Sequence, residues 1–239
     1  MRFEGKVAVI TGGAKGFGQG MAIKFAKEGA KAIICDMLEP DWQHENVEFY
    51  KLNVTDEAAC KAFYDHVIEK YKKVDILVNN AGITRDALTR KMTDEQWDLV
   101  MNVNLNAVFY MTRLFGPHME DTDGGCIINM SSSVGESGNI GQANYAASKS
   151  ALLGLTKTWA KEFARKGVQV RCNAITPGYI KTDIIKTVPQ NILDANVEKT
   201  MLKRLGEPEE VINVALFLAS DDASYVTGAA IPVNGGLRY

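Results

Sequence analysis

Short apolar runs alternate with longer segments of helical periodicity from one end of the chain to the other. The runs lack the apolar and polar alternation of half-exposed strands, which is typical of a parallel sheet covered on both faces. The predicted strands lie at residues 6–11, 30–36, 47–54, 74–79, 126–131, 168–175 and 229–233. The predicted helices lie at residues 16–28, 56–71, 93–119, 143–165 and 208–220. This order predicts an α/β fold with an open, doubly wound parallel sheet of about seven strands flanked by helices.

The sequence predicts a single domain over residues 1–239, because no internal repeat, low-complexity tract or Pro/Ser-rich linker divides it. Residues 178–205 form the least regular stretch and follow a Pro-Gly turn. Two interpretations of this stretch stay open. It is either a lid over a substrate site or a surface helical hairpin without a functional role.

The composition narrows the functional classes. Of the 239 residues, 46% are hydrophobic and 23% are charged, which excludes a disordered, collagenous or coiled-coil protein. Lysine and arginine total 27 against 29 aspartate and glutamate residues, for a formal net charge of −2. This balance provides no global field for a polyanion, so a nucleic-acid partner is not expected unless a local basic patch supplies the attraction.

The cysteines and the apolar runs indicate a reducing, aqueous compartment. Four widely spaced cysteines form neither a CxxC nor a Cys/His metal pattern and do not resemble a disulfide framework. We therefore expect reduced thiols and no metal site. No apolar run approaches the ~18 residues that span a bilayer, and the strand-like run at residues 6–11 leaves no room for a signal peptide. We expect a cytoplasmic protein with no membrane partner.

A glycine-rich turn connects the first predicted strand to the first predicted helix. It contains Gly12, Lys15, Gly16, Phe17 and Gly18. Glycine permits a tight turn and a close approach to a pyrophosphate, which the positive N-terminus of the following helix attracts. Asp36 lies 18 residues after Gly18, near the ~20-residue offset at which a carboxylate meets the adenosine ribose. Any tight strand-to-helix turn favours glycine, but this context predicts a dinucleotide site.

Tyr145 and Lys149 are four residues apart in a predicted helix, so their side chains share one helix face. A free tyrosine has a pKa of ~10, and a neighbouring ammonium favours its phenolate form. The pair is therefore a candidate proton-transfer unit for a carbonyl and alcohol couple. By itself, this spacing is short enough to occur by chance on an exposed helix face.

Together these motifs resemble those of the short-chain dehydrogenase/reductase family. Thr-Gly-x-x-x-Gly-x-Gly at residues 11–18, Asn-Asn-Ala-Gly at residues 79–82 and Tyr-x-x-x-Lys at residues 145–149 match the family's motifs in order. The resemblance implies a Rossmann-type fold and an NAD(P)-dependent oxidoreductase. It also implies a set of cofactor-binding residues outside the glycine-rich turn. These are Asn53, Val54, Asn80, Ala81, Gly82, Tyr145, Lys149, Pro177, Gly178, Ile180 and Thr182.

The resemblance implies that the catalytic residues are Asn104, Ser132, Tyr145 and Lys149. Tyr145 would protonate a carbonyl that receives hydride from the nicotinamide, and Ser132 would polarise this carbonyl. Lys149 would lower the pKa of the tyrosine and bind the nicotinamide ribose, and the backbone of Asn104 would support a water chain to the lysine. Ser132 lies 13 residues before Tyr145, the separation that the family uses. Only this spacing distinguishes it from the serines on either side.

Two residues indicate different cofactors. Lys15 is of a type common in NADP(H)-using relatives, whereas Asp36 is the acceptor expected for a free ribose 2′-hydroxyl. A carboxylate ~4 Å from a phosphate charge costs several kcal/mol even at an effective dielectric constant of about 20. A lysine can turn to solvent, but a carboxylate at a strand end cannot easily withdraw. We therefore expect NAD(H), with NADP(H) use through Lys15 as the alternative.

Within the family, the resemblance is to 3-oxoacyl-thioester reductases that act on acyl-carrier-protein or CoA thioesters. It rests on residues 74–86, 141–145, 226–228 and 233–236. It implies reduction of a β-keto group in fatty acid biosynthesis by a homotetramer. The acidic residues 120–123 depart from the basic rim expected for carrier-protein users, although Lys166 remains. A dehydrogenase of another secondary alcohol stays open, as does a non-catalytic dinucleotide sensor, which the complete Ser, Tyr and Lys set disfavours.

Overall fold

The structure, a computed structural model, describes residues 1–182 and 190–237. Within them the strands are β1 (Val7–Thr11), β2 (Lys31–Asp36), β3 (Val47–Lys51), β4 (Ile76–Asn79), β5 (Gly125–Met130), β6 (Val170–Pro177) and β7 (Ala230–Val233). The α-helices are α1 (Gly16–Lys27), α2 (Glu57–Tyr71), α3 (Asp94–Met101), α4 (Ala107–Glu120), α5 (Val134–Ser137), α6 (Ala143–Glu162), α7 (Gln190–Lys199) and α8 (Pro208–Ala219). A π-helical turn, Asn102–Asn106, joins α3 to α4.

The strands form one parallel sheet with the order β3-β2-β1-β4-β5-β6-β7. β1 is buried along its whole length between β2 and β4. The strand order reverses at β1, so the loops that follow β1 and β4 diverge and leave a crevice at the carboxyl edge of the sheet. The doubly wound α/β fold expected from the sequence is confirmed.

An apolar layer covers each face of the sheet. On one face the strands pack with α2, α4 and α6 through side chains such as Phe63, Phe115 and Trp159. On the other face they pack with α1 and α8 through side chains such as Phe25 and Leu216. Burial on both faces explains why the strands carry continuous apolar runs.

Several elements differ from the sequence prediction, among them the following three. The strand predicted at residues 47–54 ends at Lys51, because Lys51 pairs with Asp36, the last residue of its one partner strand β2. The helix predicted at residues 93–119 is divided by the π-helical turn. The irregular stretch 178–205 contains α7, but its residues 183–189 lie outside the described residues. The lid interpretation therefore stays a prediction.

No helix in the described ranges is long and apolar enough to cross a bilayer. In the same ranges, no three His, Cys, Asp or Glu residues form a group that could hold a metal ion. All four cysteines are buried and free. Burial raises the pKa of Cys60 and of Cys126 to about 11, so these thiols act as packing residues.

A buried polar network links the sheet to α4 and α6. Asn79 Nδ2 donates to Asn129 Oδ1 at 2.9 Å and to Thr112 Oγ1 at 3.0 Å. Asn129 Nδ2 donates in turn to Thr156 Oγ1 at 2.9 Å. All four side chains are buried, and they lie on β4, α4, β5 and α6. The network therefore fixes both helices against the sheet.

We expect Asn129→Ala to lower the free energy of unfolding by ~2–4 kcal/mol, because it leaves a cavity and unpaired buried polar groups. Urea unfolding followed by circular dichroism measures this change. Asn46→Ala, the same replacement at an exposed loop residue, is the control and should cost less than ~0.5 kcal/mol. A loss below ~1 kcal/mol at Asn129 would show that the network does not hold the helices.

Candidate active site

The glycine-rich turn between β1 and α1 forms a cradle that side chains would fill. Gly12 has a φ of +65°, a left-handed conformation that favours glycine. A Cβ atom on Gly18 would lie 2.1 Å from the carbonyl oxygen of Gly12. Helix α1 begins at Gly16 with no acidic residue in its first turn, and Lys15 makes no side-chain cap. The backbone N–H groups at this helix start are therefore suited to bind a phosphate.

Thr11, which sequence reasoning missed as a site residue, joins the cradle to the end of β4. Its Oγ1 accepts the backbone N–H groups of Asn80 and Ala81, each at 3.0 Å. Asn80 Nδ2 donates back to the carbonyl oxygens of Thr11 and Gly12, each at 3.0 Å. The Asn80 amide thus supports the cradle from behind. The position of a threonine directly before the glycines is the signal that could have identified it.

Asp36 closes β2 beside the cradle. Its Oδ2 accepts the N–H of Ala14 at 3.1 Å, and its Oδ1 accepts the N–H of Leu38 at 3.0 Å. Both carboxylate oxygens are therefore fixed at the carboxyl edge of the sheet. Lys15 is exposed, so its ammonium has access to solvent.

The residues expected to flank an adenine lie at the same edge. Asn53 Oδ1 accepts the backbone N–H of Thr55 at 3.1 Å and its hydroxyl at 2.9 Å, which forms a tight turn after β3. Val54 is buried in the apolar cluster against which Ala81 packs. The structure therefore brings Val54 and Ala81 into one neighbourhood.

Tyr145 lies in the first turn of α6, opposite the end of β5. The hydroxyl of Ser132 lies near its phenol and lowers the phenol's pKa. Ser132 Oγ accepts the N–H of Val134 at 3.1 Å, which leaves the serine proton available for donation. Ser131 instead donates its hydroxyl to the carbonyl oxygen of Lys149 at 2.7 Å. This geometry favours Ser132 as the partner of the phenol.

Burial is the largest influence on the tyrosine. It raises the pKa of Tyr145 above 10.0, the hydrogen bond with Ser132 lowers this pKa, and the charge of Asp86 raises it. The phenol therefore keeps its proton at neutral pH, as a proton donor in carbonyl reduction must. Lys149 Nζ lies 5.7 Å from the centre of the tyrosine ring. Its expected lowering of the tyrosine pKa stays a prediction.

Lys149 is buried one helical turn after the tyrosine. Its Nζ donates to the carbonyl oxygen of Met130, the last residue of β5, at 2.6 Å. A Cβ atom on Gly82 would lie 3.3 Å from this Nζ and 3.5 Å from Asn104 Oδ1, so glycine lets the loop after β4 approach both side chains. Burial lowers the pKa of Lys149 to about 8, because the ammonium loses its water shell.

Asn104 is fully buried in the π-helical turn. Its Oδ1 accepts the N–H of Ile83 at 2.9 Å, and its Nδ2 donates to the Ile83 carbonyl oxygen at 3.0 Å and to Ser148 Oγ at 3.2 Å. The side chain thus holds the loop after β4 against α6. π-Helical turns disturb the regular backbone pairing and are frequent at functional sites.

Asn144, also missed by sequence reasoning, fixes the start of α6. Its Nδ2 donates to the carbonyl oxygens of Arg85 and Gln96 at 3.0 and 3.1 Å. Its Oδ1 accepts the N–H of Tyr145 at 2.7 Å. The residue that carries the phenol is therefore anchored to the loop after β4 and to α3. The sequence offers little signal for this role, because asparagine is common at helix starts.

The turn after β6 lies beside the serine segment. The N–H of Ser133 donates to the carbonyl oxygen of Pro177 at 2.9 Å, and Gly178 follows directly. Ile180 is buried, and its carbonyl oxygen accepts the N–H of Thr182 at 2.8 Å. The structure thus places this turn next to the Ser132 and Tyr145 pair.

The acidic residues 120–123 lie at the opposite edge of the sheet. Helices α4 and α6 both begin near the site and run away from it, and the acidic loop follows the end of α4. Helix α6 has 20 residues and therefore spans about 30 Å. Lys166 lies beyond its far end and pairs with Asp121 at 2.7 Å. This loop therefore does not form the rim of the site in its own chain, and that expectation is wrong. Its negative charge is consequently no argument against a carrier protein as partner.

The cradle and the Ser132, Tyr145 and Lys149 cluster are the arrangement expected of a dinucleotide-dependent oxidoreductase. A family model described as enoyl-(acyl carrier protein) reductase matches residues 12–238. The chain belongs to the short-chain dehydrogenase/reductase family, whose members bind NAD(P)(H). The side-chain-free cradle at the start of α1 fits the pyrophosphate of such a cofactor.

The chain is similar to proteins named for two related activities, the reduction of 3-oxoacyl-[acyl-carrier-protein] and the reduction of acetoacetyl-CoA. The chain is 47% identical to a 3-oxoacyl-[acyl-carrier-protein] reductase of Thermotoga maritima, over 99% of each chain. It is 40% identical to an acetoacetyl-CoA reductase of Shinella zoogloeoides, over 97% of this chain and 98% of the relative. It is also 40% identical to a 3-oxoacyl-[acyl-carrier-protein] reductase of Escherichia coli, over 99% of each chain.

We expect Lys149→Met to abolish turnover and to raise the thermal midpoint at about pH 7 by ~2–4 °C, because it removes a buried charge. The folded-state pKa of about 8 lies below the ordinary 10.5, so the unfolded chain binds more protons between these values. The stability of the unsubstituted protein therefore rises with pH in this window. The advantage of the variant should shrink as the pH rises through it, as scanning calorimetry at several pH values would show.

Lys157→Met, at an exposed position on α6, is the matched control and should give no pH-dependent difference. A stability advantage of Lys149→Met that stays constant with pH would contradict a lowered pKa at this lysine.

Proposed function

We propose that this chain reduces 3-oxoacyl thioesters, carried by acyl carrier protein or CoA, and that it favours NADH as the hydride donor. The observation that carries the proposal is the grouping of the Ser132 hydroxyl, the Tyr145 phenol and the buried Lys149 ammonium beside the cradle. The names of relatives at 40% and 47% identity over almost the whole chain support the substrate class.

The proposed reaction adds hydride to the C3 carbonyl carbon and a proton to its oxygen, which gives a 3-hydroxyacyl thioester. When bound, the nicotinamide cofactor supplies the hydride. Tyr145 gives its phenolic proton to the carbonyl oxygen, and the Ser132 hydroxyl donates a hydrogen bond to the same oxygen. Ser132 is oriented for this donation because its own oxygen accepts the N–H of Val134.

Lys149 has two roles in this proposal. With a pKa of about 8 it is charged at neutral pH, and its charge stabilises the phenolate that remains after proton transfer. Its ammonium also binds the nicotinamide ribose. The backbone of Asn104 supports the water chain through which a proton returns to the lysine.

The fixed carboxylate of Asp36 supports the preference for NADH. Both of its oxygens accept backbone N–H groups, so its charge stays where the adenosine ribose would bind. A 2′-phosphate there would be repelled at short range. In the proposal, Asn53, Val54 and Ala81 flank the adenine, and the segment 177–182 meets the nicotinamide.

A second candidate is an NAD-dependent dehydrogenase of another secondary alcohol. Asp36 favours it, because 3-oxoacyl-thioester reductases generally use NADPH. The same Ser132 and Tyr145 pair would serve the reverse reaction, with the phenolate as the base. Tests with thioester and simple alcohol substrates separate the two candidates.

We further propose that the chain is cytoplasmic and assembles as a homotetramer. Large apolar side chains on α3 and α4 support self-association, because Trp97, Leu99 and Phe109 are 39%, 41% and 42% exposed. Large apolar side chains exposed on α3 and α4 are candidates for burial in such an interface.

Tyr145→Phe should lower kcat for acetoacetyl-CoA reduction by ~10²–10⁴-fold, because it removes the proton donor. The dissociation constant for NADH should change little, since the ring remains. Tyr225→Phe, at a fully exposed residue, is the matched control and should keep full activity. Turnover of Tyr145→Phe at the wild-type rate would refute the assigned proton donor.

Asp36→Ala should raise the ratio of kcat/KM with NADPH to kcat/KM with NADH by ~10-fold or more, because it removes the charge that repels a 2′-phosphate. Initial rates with both cofactors measure this ratio. Asp41→Ala, in the exposed loop after β2, controls for the loss of a nearby negative charge. An unchanged ratio in Asp36→Ala would contradict the role of this carboxylate.

A further inference from the structure

The loop between β2 and β3, residues 37–46, contacts the cradle through one side chain that the proposed mechanism does not use. Trp42 Nε1 donates to the carbonyl oxygen of Ala14 at 2.8 Å. Ala14 is fully buried in the middle of the glycine-rich turn. Its N–H donates to Asp36 Oδ2 at 3.1 Å. A single peptide segment therefore connects the indole to the carboxylate.

The turn and the strand end form one hydrogen-bonded unit around this segment. The N–H groups of Gly12 and Gly13 donate to the carbonyl oxygen of Cys35 at 2.8 and 3.3 Å. The second oxygen of Asp36 accepts from Leu38, the second residue of the loop. The carboxylate is thus held by the cradle on one side and by the loop on the other, and the Trp42 hydrogen bond ties these two sides together.

The indole is more than a packing residue. Trp42 is half-buried and lines a groove of about 590 Å³ together with Ile34, Val47 and Phe49. Part of the ring therefore faces the groove, and core side chains do not enclose it completely. Under these conditions the N–H donation to Ala14 contributes directly to the position of the loop.

We propose that Trp42 is a positioning residue for cofactor selection, which acts through Ala14 to hold Asp36 where it accepts a ribose 2′-hydroxyl and repels a 2′-phosphate. This inference rests on the NADH preference in the proposed function. A carboxylate that is free to turn away from the site would tolerate the 2′-phosphate, because the distance between the two negative charges could increase. Selectivity therefore requires a carboxylate that is already fixed before the cofactor binds.

Trp42→Phe keeps an aromatic ring and removes the N–H donor. We expect the ratio of the NADPH dissociation constant to the NADH dissociation constant to fall ~3- to 10-fold, the effect of one hydrogen bond. Calorimetric titration measures both constants without any thioester substrate. The kcat at saturating NADH should stay within about twofold, since the hydrogen bond lies outside the catalytic cluster. Trp42→His, which retains a ring N–H, should keep most of the selectivity.

Tyr225→Phe, which also keeps an aromatic ring and removes a polar hydrogen at a fully exposed residue, is the control and should leave the ratio unchanged. If Trp42→Phe does not fold, Trp42→Met serves as a second variant without the donor. A double-mutant cycle with Asp36→Ala tests the route of the effect. In the Asp36→Ala background, Trp42→Phe should change the ratio by less than about twofold, because the carboxylate through which it acts is gone.

Equal weakening of both cofactors by Trp42→Phe would overturn the inference, because it would indicate a structural role alone. The same loss of selectivity in both backgrounds would also overturn it. A preference of the unsubstituted protein for NADPH would instead contradict the NADH preference in the proposed function. The double-mutant cycle of Trp42→Phe with Asp36→Ala would still show whether Trp42 acts through Asp36.

Discussion

The site depends on the attachment of Lys149 to the end of β5. Its ammonium donates to the carbonyl oxygen of Met130, and its own carbonyl oxygen accepts the hydroxyl of Ser131. These two bonds set the position of α6 along β5. Tyr145 lies one helical turn before Lys149, and Ser132 directly follows Ser131, so the phenol and the Ser132 hydroxyl come close together. A shift of one residue at this contact would turn the serine hydroxyl away from the phenol.

Burial acts on the two titratable groups of the cluster in opposite ways. It favours the neutral phenol and raises the pKa of Tyr145, whereas it disfavours the ammonium and lowers the pKa of Lys149 to about 8. The tyrosine therefore holds a proton to donate, while the lysine lies close to its titration range at neutral pH. A buried charge of this kind costs stability, and such a cost is typical of functional sites.

The fold and the main site residues could be predicted because they depend on local pattern and spacing. Continuous apolar runs follow from burial on both faces of the sheet, and the Tyr-x-x-x-Lys spacing follows from one turn of helix. The roles of Trp42 and Asn144 could not be predicted, because their partners are backbone groups of distant segments. The position of residues 120–123 could not be predicted either, because neither their charge nor the resemblance shows at which edge of the sheet they lie. Only the direction and length of α4 and α6 show that they lie at the other edge.

The central claim is that a fixed proton donor at Tyr145 serves the reduction of a 3-oxoacyl thioester. Its most direct test is the initial rate of cofactor oxidation with acetoacetyl-CoA and with acetoacetyl-acyl carrier protein, using NADH and NADPH in parallel, with the product identified by mass spectrometry. We predict formation of the 3-hydroxybutyryl thioester from at least one carrier, faster with NADH than with NADPH. The absence of product from both carriers, in protein shown to bind NADH, would contradict the account.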